Sequence, residues 1–259
     1  MPMNLYGLIG FPLSHSFSKR YFTEKFSREN ITDSRYDLYE LSDIRKVTTL
    51  LTQTPNLQGL NVTIPYKQAI IPYLDELDEA SAGRIGAVNT IRIFADGSTK
   101  GYNTDYYGFR QSLEEWLDHR GESCANLKAL VLGTGGASKA VVAALTDLKA
   151  DFKLVSRRSG EGTLSYDDLT EDIMQTHRLI INTTPLGMHP KVESAPPIPY
   201  EFLSNQHFLY DLVYNPTETE FLQRGAKMGA ATHTGIKMLQ LQAEKAWEIW
   251  TMEIDLWNR

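Results

Sequence analysis

The chain has 259 residues, 42% hydrophobic and 22% charged, which is ordinary for a globular protein and long enough to fold as two domains. Its net charge of −6 argues against a nucleic-acid footprint or an anionic membrane surface, and no apolar run approaches the ~20 residues that span a bilayer. The single cysteine, Cys124, excludes an intrachain disulfide, and six scattered histidines lack the spacing of metal ligands.

From the N-terminus, residues 4–10 read as a strand with no basic segment or cleavage site, so no signal peptide and a cytoplasmic location are expected. Residues 17–30 read as a helix, 36–41 as a strand, 43–53 as a helix and 57–64 as a third strand. Pro65 is expected to open a helix, since its missing N–H is harmless in a first turn. The charge run 75–79 reads as a solvated helix face. Residues 88–94 and 99–102 flank Asp96-Gly97 and predict a hairpin. Strands alternating with helices imply a mostly parallel α/β arrangement. Residues 106–117 are amphipathic and bridge to a second half that repeats the alternation. There, 129–132, 152–155, 179–182, 208–213 and 230–233 predict the five strands of a doubly wound sheet. The proline-rich stretch 193–200 reads as a surface loop, and 237–257 as a last helix long enough to return to the first domain.

Three features carry chemistry. The apolar run 129–132 leads into Gly133, Gly135, Gly136 and Ala137 and then a helical run, the order of a dinucleotide-binding turn. Ser138 stands at the third small position, and a tight turn that binds nothing has the same outline. The next strand ends in Ser156, Arg157 and Arg158, two cations where an NAD site places a carboxylate; guanidinium groups favour a 2′-phosphate and hence NADP. The first half supplies hydroxyls, amides, one lysine and one aspartate at strand ends: Ser14, Ser16, Asn61, Thr63, Lys67, Asn89, Asn103 and Asp105. Each has a plainer use as a cap, a turn residue or a solvated side chain; together they suit a small polyhydroxylated acid.

The chain resembles the shikimate dehydrogenase family over nearly its whole length. The resemblance rests on Pro12-Leu-Ser-His-Ser16, Asn61-Val-Thr-Ile-Pro-Tyr-Lys67, Ala87-Val-Asn-Thr90, Gly101-Tyr-Asn-Thr-Asp105 and Gly133-Thr-Gly-Gly-Ala-Ser138. Asn182-Thr-Thr-Pro-Leu-Gly-Met188, Asp211-Leu-Val-Tyr-Asn-Pro-Thr217 and Gly235-Ile-Lys-Met-Leu-Gln-Leu-Gln242 follow in the family order. It implies an α/β protein of two domains: a substrate domain, 1–102 completed by 236–259, and a Rossmann-like NADP-binding domain, 103–235, with the C-terminal helix returning to the first. It implies reversible reduction of 3-dehydroshikimate to shikimate with NADPH, by a monomer or homodimer, on the way to aromatic amino acids. Lys67 and Asp105 would form the catalytic pair. Ser14, Ser16 and Tyr214 would hold the substrate carboxylate, and Thr63, Asn89 and Gln242 the ring hydroxyls. Gly133, Gly135, Gly136, Ala137, Ser156, Arg157, Arg158, Thr183, Val213 and Gly235 would line the cofactor. Ser156 and Arg158 depart from the usual Asn and Thr of the family, and Lys237 stands where many relatives have a small residue. Other readings are a quinate/shikimate enzyme or one preferring NAD, and a non-catalytic regulator. Ser16 favours shikimate, because quinate-preferring members tend to carry Thr there, and retention of Lys67 with Asp105 argues against a regulator.

Overall fold

Alternation along Asn4–Gly10 sends Tyr6 and Leu8 to one side of a strand and Leu5 and Ile9 to the other, and both sides pack into apolar clusters. The computed structural model describes residues 3–13 and 16–252. The chain divides into two compact units, Met1–Thr104 with Ala243–Arg259, and Asp105–Gln242.

The first unit contains β1 (Asn4–Gly10), α1 (Phe17–Arg28), β2 (Ser34–Glu40), α2 (Val47–Gln53) and β3 (Leu57–Val62), then β4 (Glu76–Leu77), β5 (Thr90–Ile93) and β6 (Thr99–Tyr102). Its sheet runs β2-β1-β3-β5-β6-β4. The first three strands are parallel and β4 pairs parallel with β6, while the expected β5–β6 hairpin adds two antiparallel pairings, so three of the five pairings in this mixed sheet are parallel. The hairpin turns at Gly97, whose φ of 85° is the conformation glycine tolerates best.

Two local expectations fail here. Pro65 opens no α-helix: the chain makes successive turns and one 3₁₀ turn, Ile71–Tyr73. Pro72 lies within that turn and lacks the N–H that a continuing helix would need. The acidic run 75–79 is exposed at Asp75, Glu76 and Glu79 as expected, but of its residues only Glu79 is helical, at the start of a π-helical turn, Glu79–Gly83. Asp75 accepts from both the N–H and the hydroxyl of Thr99 at 2.8 Å, and Asp78 accepts from Ser81 Oγ at 2.6 Å, which leaves Glu76–Leu77 to pair with β6. Tertiary hydrogen bonds override the local pattern.

The C-terminal helix, Ile236–Thr251, ends in this unit; the expected continuation to residue 257 lies outside the described residues. Trp250 lies against Gly59 so closely that a Cβ there would overlap the indole, whose N–H donates to Ile91 O at 2.9 Å. Buried Lys25 on α1 bridges Glu29 at 3.0 Å and Glu244 at 2.7 Å, and the Tyr21 hydroxyl also donates to Glu244. Gly59→Ala should therefore lower stability by ~1–3 kcal/mol through overpacking. A urea midpoint equal to that of wild type would show that Trp250 can move aside.

The second unit contains α3 (Thr104–Asp118), β7 (Lys128–Leu132), α4 (Gly136–Asp147), β8 (Asp151–Ser156), β9 (Thr163–Ser165) and α5 (Glu171–Thr176). It continues with β10 (Leu179–Asn182), β11 (Phe208–Asp211), α6 (Glu220–Lys227), β12 (Ala231–Thr234) and the start of α7 (Ile236–Thr251), whose residues from Ala243 onward belong to the first unit. The sheet order is β12-β11-β10-β7-β8-β9, with every pairing parallel. Ala129, Val131, Leu179, Ile181, Phe208 and Tyr210 face one apolar cluster, with Phe109 of α3 and Val141 of α4. Leu130, Leu132, Ile180 and Leu209 face the other, with Met174 of α5 and Phe221 of α6. Burial on both faces is why these strands read as unbroken apolar runs. β9, the sixth strand, escaped the sequence reading because its three residues hold one apolar side chain, Leu164. In the loop 193–200, Pro196 and Ile198 are buried, so the middle of that loop belongs to the core and not to the surface.

Candidate active site

In the first unit, β1 and β3 end side by side. The Thr63 N–H donates to Ile9 O at 2.9 Å, and the Thr63 carbonyl accepts from the Tyr66 N–H, also at 2.9 Å. The Val88 N–H donates to Lys67 O at 2.7 Å and the Val62 N–H to Asn89 O at 2.8 Å, so Thr63, Lys67 and Asn89 are laced together by backbone bonds. The Asn89 side chain is itself buried. Its oxygen accepts from the Thr104 N–H at 2.6 Å and its amide donates to Thr104 Oγ1 at 3.0 Å, so Asn89 holds the start of α3. A primary amide carries two protons, and one of them makes that bond. Asp105 follows Thr104 directly, in the first turn of α3. Ser16 is the N-cap of α1, accepting from the Lys19 N–H at 3.2 Å, which leaves its hydroxyl proton for a second bond. Ser14 lies outside the described residues.

In the second unit the last rung of the sheet decides the geometry. Leu132, Asn182, Asp211 and Thr234 are consecutive partners across β7, β10, β11 and β12. Immediately after them come Gly133, Thr183, Leu212 with Val213, and Gly235, so the expected cofactor residues from four strands converge on one carboxyl edge. The Thr183 N–H and hydroxyl both bond Leu132 O, at 3.0 and 2.7 Å, and the Leu212 N–H bonds Asn182 O at 3.0 Å. Gly133 adopts φ 107°, and a Cβ on it would meet Thr183 Oγ1 at 2.8 Å; a Cβ on Gly235 would overlap Leu212 O. These two glycines permit close approach within the protein. Gly135 and Gly136 differ: a Cβ on either would meet nothing within 4 Å. They leave open space over the N-terminus of α4, where backbone N–H groups and the helix dipole favour a phosphate. Ala137 occupies the first turn, and Ser138 is buried with its hydroxyl donated to Gly135 O at 2.6 Å. The third small position therefore serves the turn itself.

The Gly133 N–H donates to Val155 O at 2.8 Å, which sets Ser156 beside the glycine turn. Arg157 and Arg158 follow, both exposed, and among the described residues neither forms an ion pair with a carboxylate. An open turn over a helix N-terminus next to two exposed guanidinium groups fits a dinucleotide bearing an extra phosphate. Gly108 lets α3 approach α7, since a Cβ there would lie 2.5 Å from Met238 O and 2.9 Å from the backbone nitrogen of Gln242. Gly108 follows Asp105 by three residues on α3. Tyr214 is half-buried on the loop after β11. Lys237 acquires an explanation that sequence did not offer: its ammonium pairs with Glu115 of α3 at 3.1 Å.

One group was missed. Asp211 is fully buried and accepts from Asn182 Nδ2 at 2.9 Å, the Val213 N–H at 3.0 Å and Thr219 Oγ1 at 2.5 Å. A carboxylate closing an apolar strand was the available signal. Burial pushes its pKa up to about 6 against those three donors, which lower it. A carboxyl raised above its unfolded value favours the fold while protonated, and that contribution fades as pH rises through about 6. Between about pH 4 and pH 7, wild type should lose about 2 kcal/mol relative to Asp211→Asn, followed by urea unfolding. Parallel pH profiles for the two proteins would contradict this.

Residues 8–91 match the model of the shikimate dehydrogenase substrate binding domain. Over 264 aligned residues the chain is 39% identical to a shikimate dehydrogenase (NADP(+)) of Methanosphaera stadtmanae, covering 95% of this chain and 90% of that protein. The chain belongs to the shikimate dehydrogenase family. Among solved structures, shikimate dehydrogenase 1 of Peptoclostridium difficile is 38% identical with a TM-score of 0.82, covering 98% of this chain and 94% of the other. The shikimate 5-dehydrogenase of Thermus thermophilus, solved in complex with NADP(H) and shikimate, is 27% identical with a TM-score of 0.82 over 97% and 95%. The similarity to these shikimate dehydrogenases extends through both units, so it takes in the laced strand ends of the first and the glycine turn of the second. No helix among the described residues is long and apolar enough to cross a membrane.

Proposed function

We propose that the protein is an NADP-dependent oxidoreductase that reversibly reduces 3-dehydroshikimate to shikimate. Family membership supports the substrate class and the cofactor. The observation that carries the reading is the carboxyl edge of the second sheet, where Gly133, Thr183, Val213 and Gly235 converge beside the open turn at Gly135 and Gly136. On this reading 103–235 is the cofactor-binding domain, and 1–102 completed by 236–259 is the substrate domain.

Bound NADPH would supply a hydride to the substrate carbonyl carbon. Addition there leaves negative charge on the oxygen, and a Lys67 ammonium stabilises that charge and gives up a proton to it. Asp105 holds the neighbouring hydroxyl and completes the catalytic pair. Thr63, Asn89 and Gln242 fix the ring by hydrogen bonds, and Ser14 and Ser16 with Tyr214 take the carboxylate. Arg157, with Ser156 and Arg158 beside it, holds the 2′-phosphate through paired N–H donors.

The test is the initial rate of reduced-cofactor formation with shikimate or quinate against NADP or NAD. Turnover of shikimate with NADP is the expected result. Activity confined to quinate or to NAD would overturn the substrate or cofactor assignment, and folded protein that binds NADP but turns over neither acid would indicate a regulator.

A further inference from the structure

Two loops leave adjacent parallel strands at the last rung of the second sheet, and each carries a residue assigned above to the cofactor, Thr183 in one and Val213 in the other. What holds them is a buried polar cluster. Asn182 Oδ1 accepts from the Thr184 N–H at 3.0 Å and its hydroxyl at 2.6 Å, which curls residues 183–187 back over the strand end. Asn182 Nδ2 donates to Asp211 Oδ1 at 2.9 Å, and that same oxygen accepts from the Val213 N–H. The other carboxylate oxygen accepts from Thr219 Oγ1, which also receives the Leu222 N–H and so caps α6. Gly187 and Thr219 then close the arrangement, since a Cβ on Gly187 would stand 3.3 Å from Thr219 Cβ. Asn182, Asp211 and Thr219 are each buried. Buried polar groups are costly unless bonded together, and once bonded they specify one arrangement.

We propose that Asp211 is a positioning residue for the cofactor: it locks the 183–187 and 212–214 segments together through Asn182, the Val213 N–H and Thr219. The proposal rests on the NADP reading of this edge. Asp211 is fully buried and acts through the segments that begin at Thr183 and Val213. Alanine at 211 removes both acceptor oxygens and three hydrogen bonds at once, whereas asparagine keeps an oxygen for Asn182 and Val213 and offers its amide to Thr219 Oγ1.

The test compares the full-length wild type with Asp211→Ala, Asp211→Asn and Thr219→Val. NADPH affinity is read by nucleotide fluorescence, kinetics by separate KM and kcat values, and loop order by amide exchange on the ligand-free proteins. Asp211→Ala should raise the NADPH Kd about tenfold or more. It should speed exchange in 183–187 and 212–214 while exchange in the β10 and β11 strands stays near wild type. Asp211→Asn should recover affinity to within about threefold of wild type. Folded Asp211→Ala with wild-type affinity and wild-type exchange in both loops overturns the proposal. If Asp211→Ala does not fold, Thr219→Val decides by the same readouts, a several-fold loss of affinity supporting it and none overturning it. A wild type that binds no NADPH defeats the functional reading instead, and the loop exchange of the variants still decides whether Asp211 locks the two segments.

Discussion

Lys67→Ala is expected to lower kcat by roughly 10²–10⁴-fold, the span that a positioned general acid contributes. Hydride addition to a carbonyl is uphill unless the oxygen's new charge is met at once, and an ammonium does that without waiting for water to reorganise. Alanine leaves the oxygen to solvent. The substitution should spare the fold, because residue 67 is tied to the Ala87–Thr90 segment through its backbone carbonyl, which accepts from the Val88 N–H, and that bond does not depend on the side chain. Lys67 is also only half-buried. The measurement is steady-state reduction with saturating NADPH. A variant that keeps wild-type kcat and shows only a raised KM would assign the proton to water and reduce Lys67 to a binding group.

Arg157→Ala is expected to weaken NADPH by roughly 10- to 150-fold, from ~1.5–3 kcal/mol for a charge-assisted pair of hydrogen bonds. NADH lacks the 2′-phosphate, so its affinity should not change, and the ratio of the two affinities isolates the phosphate contact from any general disturbance of the site. Both Arg157 and Arg158 are exposed just past β8, so geometry alone does not choose between them. Arg158→Ala is therefore the control: loss of NADPH affinity there, with none in Arg157→Ala, would transfer the role to Arg158.

The elements that sequence revealed best are those whose periodicity is enforced by burial. The strand Leu179–Asn182 and the helix start at Phe17 fall where the apolar pattern placed them, because core packing and local pattern agree. The failures share the opposite cause. Asp75 and Asp78 looked like a solvated face, yet their carboxylates are spent on Thr99 and Ser81, partners 24 and 3 residues away. Pro65 carried a valid local signal that Pro72 and the turns around it cancelled.

The site divides the same way. Residue types along the chain, together with the family motifs, nominate the glycine turn, the arginines after β8 and Lys67 with Asp105 as candidates, since such nominations rest on residue identity and order. Sequence did not distinguish Gly133 and Gly235, which let protein backbone approach protein, from Gly135 and Gly136, which leave open space. Nor did it show that Asn89 spends most of its hydrogen-bonding capacity on Thr104, that Lys237 pairs with Glu115, or that Asp211 joins Asn182 and Thr219. Those outcomes depend on which strands and helices become neighbours and in what register. Sequence by itself determined the composition of the site and the alternation that builds the two sheets. Only the tertiary structure decided which polar groups satisfy one another, because a hydrogen bond between residues far apart in the chain exists only after parallel pairing has brought their strand ends onto one rung.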